Sequence, residues 1–147
     1  SNWKKYAFPG KVFDENSNHV GTHTGLPNYT VGQKRDIELF SGKPGGYVKH
    51  MDTTTNAITI APKPALLKRE FFITQVSFRN PDDLTENKGF TVKVRGLGLN
   101  PEGLGKIKQV DEDTWCVSLD SPAWAIAPAQ PVVFYDGQRL VGGGLAK

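Results

Sequence analysis

Short runs of alternating apolar and polar residues make up most of the chain, a pattern typical of β-strands that bury one face. In the first half these runs form two pairs, and a short polar segment separates the members of each pair. Ile58 and Ile60 lie on one face of their run, because side chains along a strand alternate with a period of two. We therefore predict hairpins that join 11–13 to 19–21 and 47–51 to 57–61.

The second half shows the same alternation more strongly. The Asp136-Gly137 step between apolar runs is a strong hairpin signal, and the acidic segment 111–113 predicts a second tight turn. The resulting hairpins join 106–110 to 115–119 and 132–135 to 139–141. The apolar residues predicted to share a strand face are Phe72, Val76 and Phe78; Phe90, Val92 and Val94; and Trp115, Val117 and Leu119. Such short strands with frequent turns favour a small antiparallel barrel or a sandwich.

Residues 62–69 contain the one segment that resembles a helix. Pro64 suits a first helical position, and Ala65-Leu66-Leu67-Lys68 follows it. The segment is short, and we interpret it as the joint between two units. The predicted domains are therefore a small β-rich unit, residues 1–65, and a second β unit, residues 66–147, which makes the fold class mainly β.

Composition narrows the class of protein. A single cysteine in 147 residues excludes a disulfide scaffold and a four-cysteine zinc site within this chain. Sixteen glycines and ten prolines favour turns over long helices. No apolar run approaches the ~18 residues that a membrane helix needs, and the first residues lack the apolar core of a signal peptide. We expect no membrane partner and a cytoplasmic location.

The net charge of +3 is unevenly distributed. Residues 1–68 carry nine lysines and arginines against five acidic residues, whereas residues 69–147 carry nine against ten. This asymmetry favours a first unit that faces phosphates. A solvated basic surface without a partner is the alternative.

The residues themselves predict no catalytic site and no metal site. Gly105-Lys106 resembles the end of a phosphate-binding loop, but the position of its first glycine holds Asn100. The four-residue spacing of His19 and His23 suits a metal only on a helix, and this segment reads as extended. Cys116 lies on an alternating strand with no cation beside it in sequence, so a structural thiol is favoured over a nucleophile. The triple glycine 142–144 is interpreted as a close approach of strands.

Two segments are more specific than their composition. Residues 25–35, GLPNYTVGQKR, resemble the G-L…Y-T-(I/V)-G-Q-(R/K)-(R/K) segment of the tRNA-specific 2-thiouridylases. Residues 121–137, SPAWAIAPAQPVVFYDG, with LVGGG at 140–144, are similar to the carboxyl terminus of that family. Order and spacing agree along nearly the whole chain.

This resemblance implies a parent enzyme with an N-terminal ATP-pyrophosphatase domain, a small central domain and a C-terminal β-barrel. The parent would make 2-thiouridine at the wobble position of tRNA, with ATP and magnesium for activation and a persulfide, delivered by a sulfur-relay protein, as the sulfur donor. This chain resembles the central domain and the barrel alone. It would then bind tRNA without catalysing thiolation, it would need no cofactor of its own, and Cys116 would match neither catalytic cysteine.

The tRNA-binding residues predicted from the resemblance and from their chemistry are Thr30, Gln33, Lys34, Arg35, Lys93 and Arg95. Lys34 and Arg35 suit phosphates without reading bases. Lys93 and Arg95 share a strand face, although a plain solvated face is an alternative. Trp124 and Tyr135 are candidate stacking partners for a flipped base, and Tyr135 fits a core position better.

The chain also departs from the family pattern. Asp36 stands where a glycine is usual, Leu97 follows Gly96 where an aromatic residue and a second arginine are usual, and Ala129 replaces the glycine of P-G-Q. The first two departures reduce the expected positive charge. A stand-alone β-barrel module that binds protein and has lost affinity for tRNA is therefore the second hypothesis, and a catalytic Cys116 is the third.

Overall fold

The computed structural model of the chain describes residues 7–43, 45–84, 87–94, 96 and 99–147. It contains two compact units, the first ending at Leu66 and the second beginning at Leu67. Eleven strands account for the regular structure of the described residues, in which the helical segments are short 3₁₀ turns and no α-helix occurs. The prediction of a mainly β fold is confirmed.

A five-stranded sheet forms the first unit, in the spatial order β3-β2-β1-β5-β4. Both predicted hairpins are present, and β1 pairs with β5 in the parallel direction, which joins the two hairpins into one sheet. Val12, Val48 and Ile58 are fully buried on one side of it. The strands are β1 Gly10–Phe13, β2 His19–His23, β3 Glu38–Leu39, β4 Tyr47–Asp52 and β5 Ala57–Ala61.

The helix expected over 62–69 is wrong. Only Lys63–Leu66 turn, as a single 3₁₀ segment, and Leu67 already begins a twelve-residue strand, β6, which extends to Phe78. Leu67 and Lys68 pair with the end of a neighbouring strand. A ladder of this length overrides the weak helix preference of a few residues, because so short a helix is unstable by itself.

The second unit is a six-stranded antiparallel sheet in the order β7-β10-β11-β6-β9-β8. Its two edge strands meet where Phe90 and Gly105 exchange a pair of backbone hydrogen bonds, each 2.8 Å long. The sheet therefore curls round on itself, and the predicted C-terminal antiparallel barrel is confirmed. The strands after β6 are β7 Thr91–Val94, β8 Gly105–Gln109, β9 Trp115–Trp124, β10 Pro131–Asp136 and β11 Arg139–Ala146.

The barrel core contains the alternating residues of β7 and β9 that the sequence indicates, among them Val92 and Val117, together with Phe134 of β10. The predicted face of β6 is wrong in one respect. Val76 and Phe78 pack against the core, but Phe72 is 50% exposed. Gln75 has a φ of 53°, so the strand bulges between Phe72 and Val76. Beyond the bulge, the alternation of inward-facing and outward-facing side chains is shifted by one residue.

Close approach of strands explains the triple glycine. A Cβ atom on Gly142 would collide with the carbonyl oxygen of Ser77, and one on Gly143 would collide with that of Val132. The interpretation of these glycines as close-packed backbone is confirmed.

Four charged side chains fasten the β10–β11 hairpin to the turn that follows β6. The buried Asp83 lies 2.7 Å from Lys88 Nζ and 3.5 Å from Arg139 Nη1, and Asp136 Oδ2 contacts the same two cations at 3.2 and 3.1 Å. The hydrogen bond from Lys88 lowers the pKa of both carboxyls. In turn, the hydrogen bond to Asp83 raises the pKa of Lys88.

Candidate nucleic-acid interface

The loop of residues 30–36 contains four of the six predicted tRNA-binding residues, and backbone pairing holds it in place. The amide of Gly32 donates to the carbonyl of Val48, and the amide of Val48 donates to the carbonyl of Gln33, both at 2.8 Å. The side chain of Val31 is buried beneath the loop. The loop is thus docked on the first residues of β4.

Gln33 braces this loop from within. Its Oε1 accepts a hydrogen bond from the amide of Thr30 at 3.1 Å, and its Nε2 donates to the carbonyl of Arg35 at 3.0 Å. Both ends of the carboxamide are therefore engaged inside the loop, which makes Gln33 a positioning residue for its neighbours. Thr30 is exposed beside it.

Tyr29 supplies a second brace that sequence reasoning missed. Its buried hydroxyl donates to the carbonyl of Asp36 at 2.6 Å and accepts from the amide of Thr24 at 3.0 Å. Asp36 has a φ of 67°, a left-handed conformation that glycine adopts most easily. The Tyr29 hydroxyl therefore holds the chain in this conformation directly after Arg35.

Lys34 and Arg35 are both exposed at the outer side of the braced loop. Nζ of Lys34 lies 5.4 Å from the centre of the Tyr47 ring, within the range of a cation–π contact. Both residues line an open groove of about 790 Å³. Its other lining residues are Thr22, Asp36, Ile37, Glu38, Leu39, Phe40, Gly42 and Lys43.

Phe40 is the most exposed large apolar side chain of the described residues, at 65%. Its ring makes an edge contact with His19, with 4.9 Å between ring centres, and its amide donates to the carbonyl of Val20 at 2.9 Å. No sequence motif indicates Phe40 as a site residue, because its place in the groove results from the fold.

The two predicted residues of the barrel have different outcomes. Lys93 is exposed on β7, and its Nζ lies 4.8 Å from the centre of the Tyr135 ring. Arg95 lies outside the described residues, and so does the departure at Leu97. Trp124 is buried and Tyr135 is half-buried beneath Lys93. The structure thus gathers Thr30, Gln33, Lys34 and Arg35 in one loop and places Lys93 in the other unit.

Cys116 has the surroundings of a structural thiol. It is half-buried on β9, and its Sγ lies 3.8 Å from Oε1 of Glu70. Burial raises the pKa of the thiol, and the negative charge of Glu70 acts in the same direction. A nucleophilic cysteine needs the opposite, a nearby cation that lowers its pKa.

The histidines do not converge with other ligands. His23 is buried, and its two ring nitrogens bond to the carbonyl of Asn56 at 2.8 Å and to the amide of Gly25 at 3.1 Å. In the described part of the chain, no three side chains of His, Cys, Asp or Glu lie where they could hold a metal ion together. None of the helical segments described has the length and apolar character that crossing a membrane requires.

Two family models match consecutive parts of the chain. Residues 4–62 match the tRNA methyl transferase PRC-barrel domain, and residues 68–146 match the aminomethyltransferase beta-barrel domain. The chain therefore belongs to the class of proteins that carry these two β domains in tandem.

Curated relatives refine that class. The chain is 37% identical over 139 residues to the tRNA-specific 2-thiouridylase MnmA of Halothermothrix orenii, a match that covers 95% of this chain and 38% of the relative. The MnmA proteins of Chloroflexus aggregans and Rickettsia felis are 36% and 33% identical, each over 92% of this chain. The chain belongs to the tRNA-specific 2-thiouridylase family. It spans 36–38% of the length of these curated relatives.

Proposed function

We propose that this chain is the tRNA-binding, non-catalytic portion of a tRNA-specific 2-thiouridylase. The observation that carries the proposal is the exposed Lys34–Arg35 pair on a loop whose backbone is fixed by Gln33 and Tyr29. Cations held in a fixed geometry bind phosphates and position an RNA without reading its bases. Lys93 of the barrel is the further contact that we assign to the RNA.

The chemistry of thiolation belongs, in this proposal, to the parent polypeptide outside this chain. ATP with magnesium would activate the wobble uridine there, in an N-terminal ATP-pyrophosphatase domain, and a persulfide from a sulfur-relay protein would supply sulfur in the cytoplasm. The described residues of this chain are not arranged to hold magnesium or to carry a persulfide. No acidic cluster is placed to hold magnesium among them, and Cys116 has a raised pKa.

A salt titration of tRNA binding tests the proposal. Unfractionated tRNA should bind this chain with an affinity that falls log-linearly with salt concentration, because each neutralised phosphate releases counterions. The double variant Lys34→Ala, Arg35→Ala should bind more weakly, and its salt slope should be smaller by roughly 0.7–0.9 for each phosphate that is no longer neutralised.

The matched control removes two exposed cations of β8, in the double variant Lys106→Ala, Lys108→Ala. It takes away the same charge and should leave the slope near that of the unchanged chain. An equal loss of affinity in both variants would mean that net charge, rather than the loop, governs binding. Absence of tRNA binding at low salt would refute the proposal for this chain.

A protein-interaction module is the second candidate, and exposed apolar side chains of the barrel favour it. Phe72 is 50% exposed and Val110 is 56% exposed. Phenylalanine is enriched at protein interfaces, and exposed apolar side chains indicate an interface where they form a contiguous patch. The same titration separates the two functions, because a protein-binding module that has lost its affinity for tRNA would give no salt-dependent tRNA signal.

A further inference from the structure

The groove beside Lys34 and Arg35 has the dimensions of a ligand site. Its volume of about 790 Å³ lies within the ~300–1,000 Å³ typical of small-molecule pockets. It is open to solvent along one side, and its lining comes from β2, β3 and the loops on either side of β3. A single nucleotide fits such a volume, whereas a paired helix is far larger than it.

Phe40 supplies this groove with an aromatic surface in a fixed position. A backbone hydrogen bond to Val20 holds its main chain, the edge contact with His19 restrains its ring, and 65% of the residue is still exposed. An aromatic ring that is ordered and exposed is the usual platform on which an unpaired base stacks.

The charges around the groove fit the same ligand. Lys34, Arg35 and Lys43 line it together with the acidic Asp36 and Glu38, so its net charge is only +1. Three cations beside one aromatic ring suit a nucleotide, whose phosphates lie on either side of its base. With so small a net charge, stacking has to supply most of the affinity at this position.

We propose that the groove binds one unpaired nucleotide of the RNA, with its base stacked on Phe40 and its flanking phosphates at Lys34, Arg35 and Lys43. The inference rests on the proposed function and adds to it a defined subsite for an unstacked base. In this subsite Phe40 contributes to affinity by stacking on the base, whereas the neighbouring cations contribute by contacting phosphates.

The variant Phe40→Ala tests the subsite, with unfractionated tRNA and a fully paired RNA duplex as probes. Loss of one base–aromatic stack should weaken tRNA binding about 5- to 150-fold at every salt concentration, with an unchanged salt slope. Binding of the duplex should not change. The variant Phe40→Trp should bind tRNA at least as well as the unchanged chain, because it keeps the aromatic platform.

Phe72→Ala is the matched control, since Phe72 is also half-exposed but lies on the barrel. It should bind both probes normally, and thermal unfolding of each variant checks that the fold is retained. Normal tRNA binding by Phe40→Ala, together with weak binding by the Lys34→Ala, Arg35→Ala variant, would refute the subsite and leave the proposed function intact. Equal weakening for tRNA and duplex would also refute it. Failure of the unchanged chain to bind tRNA would refute both.

Discussion

At the scale of single residues, Ala129 stands in a conformation that glycine adopts more easily. Its φ is 65°, in the left-handed region, and its amide donates to the carbonyl of Ala146 at 2.7 Å, so the surrounding backbone holds it there. For a residue with a Cβ this conformation costs about 1–2 kcal/mol. Asp36, another of the departures from the family pattern, also has a positive φ, of 67°, but aspartate adopts this conformation more readily than alanine does.

The substitution Ala129→Gly should therefore stabilise the protein. Relief of strain outweighs the greater chain entropy that glycine loses on folding, about 0.5–1 kcal/mol, so we expect a net gain of roughly 0.5–1 kcal/mol in the free energy of unfolding. Urea denaturation measures it. Ala127→Gly, in the same loop but without a positive φ, is the control and should lose stability. A loss of stability for Ala129→Gly as well would contradict the strain argument.

The surroundings of Cys116 lead to a prediction about reactivity. Because burial and Glu70 raise the pKa of the thiol, the reactive thiolate is scarcer than in a free cysteine at the same pH. Alkylation by iodoacetamide near pH 8, followed by mass spectrometry, should be slower for the folded chain than for the chain in denaturant. Faster reaction in the folded chain would revive the hypothesis of a catalytic cysteine.

Residues such as Lys34 and Arg35 can be recognised in the sequence because neighbouring residues form a motif around them. Tyr29 lies in the same motif, but its contacts cannot be recognised there, and neither can those of Phe40, since each depends on where the fold brings a partner: Thr24 and Asp36 for the hydroxyl, and His19 for the ring. The exposure of Phe72 escapes the sequence pattern for a related reason. Strict alternation predicts this side chain inside, and the bulge at Gln75 has no signature in the residue types alone.

At the scale of secondary-structure elements, hairpins can be predicted from the sequence, whereas the pairings that join them into complete sheets cannot. The 136–137 turn specifies its hairpin locally, because Gly137 accepts the positive φ of 61° that the turn requires. By contrast, the parallel pairing of β1 with β5 and the contact of Phe90 with Gly105 join segments far apart in sequence. Such pairings depend on the whole core, so local patterns do not indicate them.

The charge network on the β10–β11 hairpin should make the barrel sensitive to acid. Asp83 and Asp136 have lowered pKa values in the folded state, so the unfolded chain binds more protons in the acid range and stability rises with pH there. Their contribution is complete above about pH 4, near the pKa of an unfolded aspartate. It is lost as the pH falls through the lower, folded values.

Asp83→Asn tests this directly. At pH 7 the variant should unfold at a lower urea concentration than the unchanged chain, since Lys88 and Arg139 lose their buried partner. Well below pH 4 the difference should shrink, because the carboxyl of the unchanged chain is then protonated too. Asp82→Asn, which removes an exposed carboxyl from the same turn, should change little at either pH. A difference that is constant with pH would exclude a role for the charge.

At the scale of the whole chain, the two compact units are indicated by different features of the sequence: charge for the first unit and apolar alternation for the second. The basic excess lies within residues 1–68, and so does the loop that we propose to bind RNA. The barrel contributes most of the apolar alternation and the curled six-stranded sheet. Composition thus predicts which part of the chain would face a polyanion in the proposed function. The groove itself could be found only once β3 and the loops beside it were in place.

The two braces of the 30–36 loop also have a consequence for how quickly the proposed RNA ligand would bind. Gln33 and the Tyr29 hydroxyl fix the backbone around Lys34 and Arg35 in the free chain, so the entropy of ordering this segment is lost during folding and not during the encounter. In the proposed function, association with RNA would then require no slow rearrangement of the loop. Its rate would be governed by diffusion and by the screening of charge, and differences in affinity would arise mainly in the rate of release.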